Sequence, residues 1–187
     1  MTRRRYIFDP PDRFVAGTIG QPGQRTFLLQ ARDGRRITSV ILEKSQVAVL
    51  ADRLDQLLDD LERGGLEIPA EAGDPSGAEV ASLDEPLNEA FRAAALTLGW
   101  DAGAERVLIE ARSEAVDPED DPAALLDDDD EEGPDLLRVR ITAANAREFV
   151  RRALQVVNAG RPPCPLCGRP LDPQGHLCPR RNGTYVH

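Results

Sequence analysis

Five side chains able to bind a soft metal ion crowd the end of this 187-residue chain. Its three cysteines and two histidines all lie in the last 24 residues. Cys164 and Cys167 are spaced C-x2-C, which lets two thiolates point at one ion. Gly168 follows, and a glycine there lets the backbone turn back and aim amide N–H groups at the sulfurs. Pro165 and Pro170 stiffen the loop. His176 and Cys178 come next as H-x-C after Gly175. Together Cys164, Cys167, His176 and Cys178 make a Cys3His set that suits one tetrahedral Zn2+ per chain. Four protein ligands leave no open position for water or substrate. The expected role is therefore structural: the ion stands in for a hydrophobic core in a segment too short to have one. Free cytosolic thiols and a dithiol redox pair are the competing readings. Redox pairs sit between a strand and a helix, whereas this one follows a helix among prolines. His187, the last residue, reads as a frayed end.

No other group of residues supports a reaction. There is no Ser/His/Asp arrangement, and no catalytic or cofactor-binding residue is assigned. Gly17, Gly20 and Gly23 with Arg25 form a glycine-rich stretch, but phosphate-cradling loops open a helix and this one opens a strand. Turn chemistry explains it. Tyr6, Phe8 and Trp100 read as core or edge packing.

Charge is spread unevenly. Residues 1–137 carry 14 basic and 31 acidic groups, and residues 138–187 carry nine arginines against Glu148 and Asp172, within a net charge of −10. A basic C-terminal segment on an acidic body implies either an anionic partner or association of the two parts. Arg161, Arg169, Arg180 and Arg181 flank the cysteines, with Asn182-Gly183 after them. Arg169, Arg180, Arg181 and Asn182 are the candidate contacts to such a partner, whether nucleic acid or protein; the alternative is that they only keep a small module soluble. Residues 114–135 hold twelve acidic groups and no basic one. Like charges this dense repel, which predicts a disordered loop that could also mask the arginines. The EF-hand pattern is absent from it. The charged N-terminus has no apolar run behind it, so it does not read as a signal peptide. No stretch approaches the length of a membrane span, and three cysteines in metal spacing fit a reducing cytoplasm.

The elements that must position these residues follow from periodicity. Arg13 to Ile19, Thr26 to Ala31 and Arg36 to Leu42 read as a β-meander, with Asp33-Gly34 as a hairpin turn. A helix follows from Lys44 to Glu62, with an apolar stripe through Val47, Leu50, Leu54, Leu57, Leu58 and Leu61. Ser45 is its expected cap and Gly64-Gly65 its stop. Its acidic face (Asp52, Asp55, Asp59, Asp60) reads as solvated. Leu66 to Asn88 reads as a linker. Phe91 to Trp100, Arg106 to Ala111 and Leu136 to Ile141 read as strands, and Thr142 caps a second helix reaching about Ala159.

The halves resemble each other. Residues 24–32 match residues 104–112, and each stretch is preceded by an apolar-Gly pair (Ile19-Gly20, Leu98-Gly99). The expectation is an α+β chain with a duplicated β-β-β-α unit, copies at about 6–65 and 88–160. These would form one antiparallel-sheet domain with two helices over residues 1–160, with the zinc-binding tail at 161–187. Arg25, Arg32, Arg106 and Arg112 fall near the groove relating the copies, so an enzyme with an arginine-lined site there is the runner-up to a non-enzymatic binding or adaptor protein. A subunit of a larger complex is the third reading.

Phe8-Asp-Pro-Pro-Asp-Arg-Phe-Val-Ala-Gly-Thr-Ile-Gly-Gln-Pro-Gly23 with Arg25-Thr-Phe27, and Cys164-Pro-Leu-Cys-Gly through Gly175-His-Leu-Cys-Pro-Arg-Arg-Asn-Gly183, resemble an uncharacterised, conserved actinobacterial protein family with a zinc-ribbon-like C-terminus. The resemblance covers nearly the whole chain. It implies the same metal ligands and brings no activity with it.

Overall fold

Four strands and a helix run in order, twice. In the computed structural model, which describes residues 3–21, 23–69, 82–116, 132–159, 165–167, 176–178 and 185–186, the first series is β1 (Arg5–Phe8), β2 (Arg13–Ile19), β3 (Thr26–Asp33), β4 (Arg36–Leu42) and α1 (Lys44–Arg63). The second is β5 (Glu89–Arg92), β6 (Ala95–Asp101), β7 (Arg106–Arg112), β8 (Leu136–Ile141) and α2 (Ala143–Asn158). A short ribbon of β9 (His176–Leu177) and β10 (Tyr185–Val186) lies in the tail.

The strands form two four-stranded sheets, not the single antiparallel sheet expected. Sheet 1 has the order β2-β3-β4-β5 and sheet 2 the order β1-β8-β7-β6. Each half thus lends its first strand to the other half's sheet. β5 lies parallel to β4, with Val40 opposite Phe91, and β1 lies parallel to β8, with Val139 opposite Phe8. The remaining pairs in the two sheets are antiparallel. Tight turns force antiparallel neighbours, whereas an exchanged strand arrives by a long excursion and can lie parallel. The predicted strand Phe91 to Trp100 is in fact two, broken at Ala93-Ala94 between β5 and β6.

Register relates the halves. Phe14 pairs with Ala31 as Leu96 pairs with Ala111, and Gly17 faces Leu28 as Gly99 faces Leu108. Gly17, not Gly20, is therefore the counterpart of Gly99. Gly20 serves a turn instead: its φ is +92°, and a Cβ there would lie 2.7 Å from the Gln24 carbonyl oxygen.

Alternate residues of both sheets meet both helices in one buried cluster. It includes Leu29, Val40, Ile109 and Val139 from the strands, and Leu50, Leu54, Phe149 and Ala153 from the helices. The helices pack on each other, α2 also on β2 and α1 also on β6, so each helix leans on the opposite half's strand. Thr142 caps α2 as expected, its hydroxyl accepting from the Asn145 amide at 3.1 Å. At α1 the N-cap is Glu43, not Ser45; its amide donates to Gln46 Oε1 at 2.8 Å. Gln46 reaches back in a way that Ser45, already in the first turn, does not. No helix among the described residues is long and apolar enough to cross a membrane.

Candidate functional site

Two of the four expected metal ligands fall among the described residues. Cys167 is half-buried in the turn at 165–167, and Cys178 is fully buried just after β9. Neither is in a disulfide, as metal ligation requires. Cys164 and the His176 side chain lie outside the described residues, as do Arg161, Arg169, Arg180, Arg181, Asn182 and His187. Among the described residues no group of three or more His, Cys, Asp or Glu side chains is placed to hold an ion. Residues 117–131 of the acidic loop and residues 70–81 of the linker also lie outside them.

The basic segment does much of its work inside the molecule. Five of its nine arginines are described, and every one is paired. Arg138 meets Glu110, and Arg140 meets Asp9 at 3.1 Å. Arg151 and Arg152 share Glu148. Arg147 of α2 reaches three carboxylates of α1: Asp55 at 2.6 Å, and Asp59 and Glu62 at 2.9 Å. Burial alone would lower the Arg147 pKa, but those carboxylates raise it. The face of α1 that reads as solvated is thus partly an interhelical clamp. Glu148 is held below its ordinary value mainly by the hydrogen bond from Arg151, with Arg152 adding to the effect against partial burial. At the N-terminus, Arg4 donates to Asp135 from its backbone and its side chain. Burial pushes the Asp135 pKa up, and these bonds more than reverse it.

Sheet 2 buries a cluster of charges. Glu110 is 0 % exposed, Arg112 3 % and Arg138 4 %. Glu110 and Arg138 are cross-strand partners, and Arg112 binds the same carboxylate at 2.9 Å. At the corresponding place in sheet 1, Gln30 faces Ser39. Gln30 Nε2 donates to Ser39 Oγ at 3.0 Å and to the Asp84 carbonyl at 3.0 Å, and Gln30 Oε1 accepts from the Asp84 amide at 2.8 Å. Asp84 also pairs with Arg13 at 2.8 Å.

Each helix and the opposite strand enclose a groove. Between β2 and α2 it is about 340 Å³, lined by Arg13, Phe14, Arg32, Glu148, Phe149 and Arg152 among others. Between β6 and α1 it is about 350 Å³, lined by Val49, Leu50, Arg53, Gln56, Leu57, Asp60, Leu96 and Leu98. Of the four arginines grouped by sequence, Arg32 lines the first groove, and its Nε lies 3.6 Å from Asp84. Arg106 bonds to carbonyls of its own turn and lines a different cavity. Arg112 is buried in sheet 2. Arg13 and Arg152 join Arg32 in the groove, although sequence spacing gave no reason to group them. Their common location depends on β2 of one half meeting α2 of the other. Glu110 and Arg138 were missed as well. The available signal was alignment with Gln30, whose counterpart in the matching stretch is Glu110.

These observations define an α+β protein of two mixed four-stranded sheets with exchanged first strands and a short cysteine-bearing tail. The chain belongs to the family described as Protein of unknown function (DUF3090), whose model matches residues 6–178. No curated protein and no solved structure matches it.

Proposed function

We propose that the chain is a non-enzymatic zinc-binding protein of the cytoplasm, serving as a binding or adaptor module, and that its two similar halves are an internal duplication. Cys164, Cys167, His176 and Cys178 hold one structural Zn2+ in a ribbon-like tail. The spacing C-x2-C…H-x-C carries this reading. Supporting it, the described cysteines are in no disulfide, and Cys178 is fully buried beside a two-stranded ribbon too short to hold itself together. Zinc supplies cross-linking here and no reaction step.

The partner contact falls to Arg169, Arg180, Arg181 and Asn182. The arginines of 138–152 are already neutralised by Glu110, Asp9, Glu148 and the carboxylates of α1. The partner is an anionic surface, nucleic acid or protein, bound in a salt-sensitive way. Elemental analysis of the purified full chain tests the metal: about one zinc per chain is expected, falling sharply in Cys167→Ser. Zinc-free protein from a reducing, chelator-free preparation would defeat the reading. Ultraviolet excess that washes off with salt identifies nucleic acid, and its absence directs the search to proteins.

One observation favours a second reading. The groove between β2 and α2 brings Arg13, Arg32 and Arg152 together between the two halves, beside the Phe14–Phe149 pair. An enzyme acting on a small anion would use it. Thermal stabilisation by phosphorylated or carboxylated metabolites, lost in Arg32→Ala, would support that reading. A melting temperature indifferent to every such compound would remove it.

A further inference from the structure

The two interrepeat grooves occupy equivalent places and differ in content. In the β2–α2 groove, Phe14 and Phe149 stack with centroids 4.8 Å apart, bridging strand and helix. Counted from the caps Glu43 and Thr142, Leu50 stands where Phe149 does, and by register Leu96 stands where Phe14 does. The two grooves are of similar volume, but the β6–α1 groove is lined by aliphatic side chains, with Val49 58 % exposed on its rim.

β6, beside that groove, is the outermost strand of sheet 2 among the described residues. All seven of its residues are half-buried, and it carries no charge before Asp101. The other sheet ends are guarded: β1 and β5 have four residues each, and β2 opens with Arg13, which binds Ser82 and Asp84 of the neighbouring segment. A long outer strand without charge offers unpaired backbone groups to another strand.

We propose that a second copy of this chain docks here, β6 against β6, antiparallel about a two-fold axis through Leu98. A two-fold contact requires a self-complementary surface, and this one is self-complementary in both of its elements. On β6, pairing centred at Leu98 sets Leu96 opposite Trp100 of the second copy, joining apolar side chains on one face. On α1, Arg53 and Asp60 both rim the groove and are exposed. They stand two turns apart on one helix face, with Gln56 and Leu57 between them. An axis at that midpoint sets Arg53 of each copy against Asp60 of the other. Leu57 and Leu98 line the same groove, which brings the two midpoints close to one another.

Sedimentation velocity of the full chain over a range of concentrations tests this. The wild type is expected to show a monomer–dimer equilibrium. Val49→Arg, Arg53→Asp and Asp60→Arg should each weaken it, raising the dissociation constant roughly tenfold through like-charge contact or a lost apolar rim. The double variant Arg53→Asp/Asp60→Arg should restore most of the dimer, since each copy then presents the reversed pair. These three positions are exposed, so circular dichroism should be unchanged. A wild type that stays monomeric at the highest concentration reached overturns the proposal. A dimer indifferent to all the single changes does the same, and so does a double variant that fails to recover.

Discussion

Gln30 and Glu110 hold the same place in two sheets and solve the same problem differently. Each is buried on the sheet face that points away from the shared core, and each faces a polar residue across the ladder. Sheet 1 uses a neutral amide whose bonds go to Ser39 and the Asp84 backbone. Sheet 2 uses a carboxylate held by Arg112 and Arg138. A neutral network loses little when one member leaves. A buried ion cluster loses much more, because it leaves charge without its counter-ion. Matching backbones therefore do not imply matching tolerance.

Breaking each site measures that difference. Glu110→Ala should cost about 3–5 kcal/mol, because two buried guanidiniums lose their shared carboxylate. Gln30→Ala should cost about 1–3 kcal/mol. Urea unfolding of both variants checks this, and equal costs would undo the comparison. The groove pair offers a second test. Phe149→Ala removes the stacked ring and enlarges the β2–α2 groove; the same measurement should show a loss of about 3–5 kcal/mol. A loss near zero would mean that the aromatic pair does not hold strand and helix together. The helix caps differ too. Thr142→Ala should lower stability by about 1 kcal/mol by orphaning the Asn145 amide, detectable as a shift in midpoint denaturant at constant slope.

The smallest expected effect is on acid tolerance. Glu148 in the second half and Asp135 before β8 both have depressed pKa values in the folded chain. The folded state therefore binds fewer protons than the unfolded chain in that range. Stability from these pairs is present above the ordinary carboxylate range and is lost as pH falls through the folded values. Both groups are partly exposed, so solvent screens the effect. Glu148→Gln should flatten the decline in melting temperature below the ordinary Glu value of 4.5. An unchanged slope would assign the acid sensitivity elsewhere.

Much of the local structure was legible in the residues. β2, β4 and β8 follow the expected bounds, and α1 and α2 differ from theirs by a residue or so, because apolar periodicity and turn residues act over short distances. β1 was not legible, and β5 was legible only as the start of a longer strand. Four residues such as Arg5-Tyr-Ile-Phe8 carry too little pattern, and their partners lie in the other half of the chain. Missing them turned two mixed sheets into one antiparallel sheet. Glu110 and Arg138 were obscure for a related reason. A charged residue on a strand reads as facing water, and only the sheet face it shares with Arg112 shows otherwise. The metal ligands stand on spacing alone, since Cys164 and the His176 side chain lie outside the described residues.

The exchanged strands also set a timetable for a chain emerging from the ribosome. Sheet 1 has all its strands once Arg92 has appeared, about fifty residues after β4. Sheet 2 must wait much longer, because Arg5 pairs with Leu136 and Phe8 with Val139. Contacts this distant in sequence form late. Phe8, fully buried in the finished protein, is made well before Val139, the strand partner that completes its shelter. Until β8 is made, β1 has no strand to pair with, and only contacts such as the Arg36 bond to the Ile7 carbonyl hold it; it is the kind of segment that chaperones hold and proteases find.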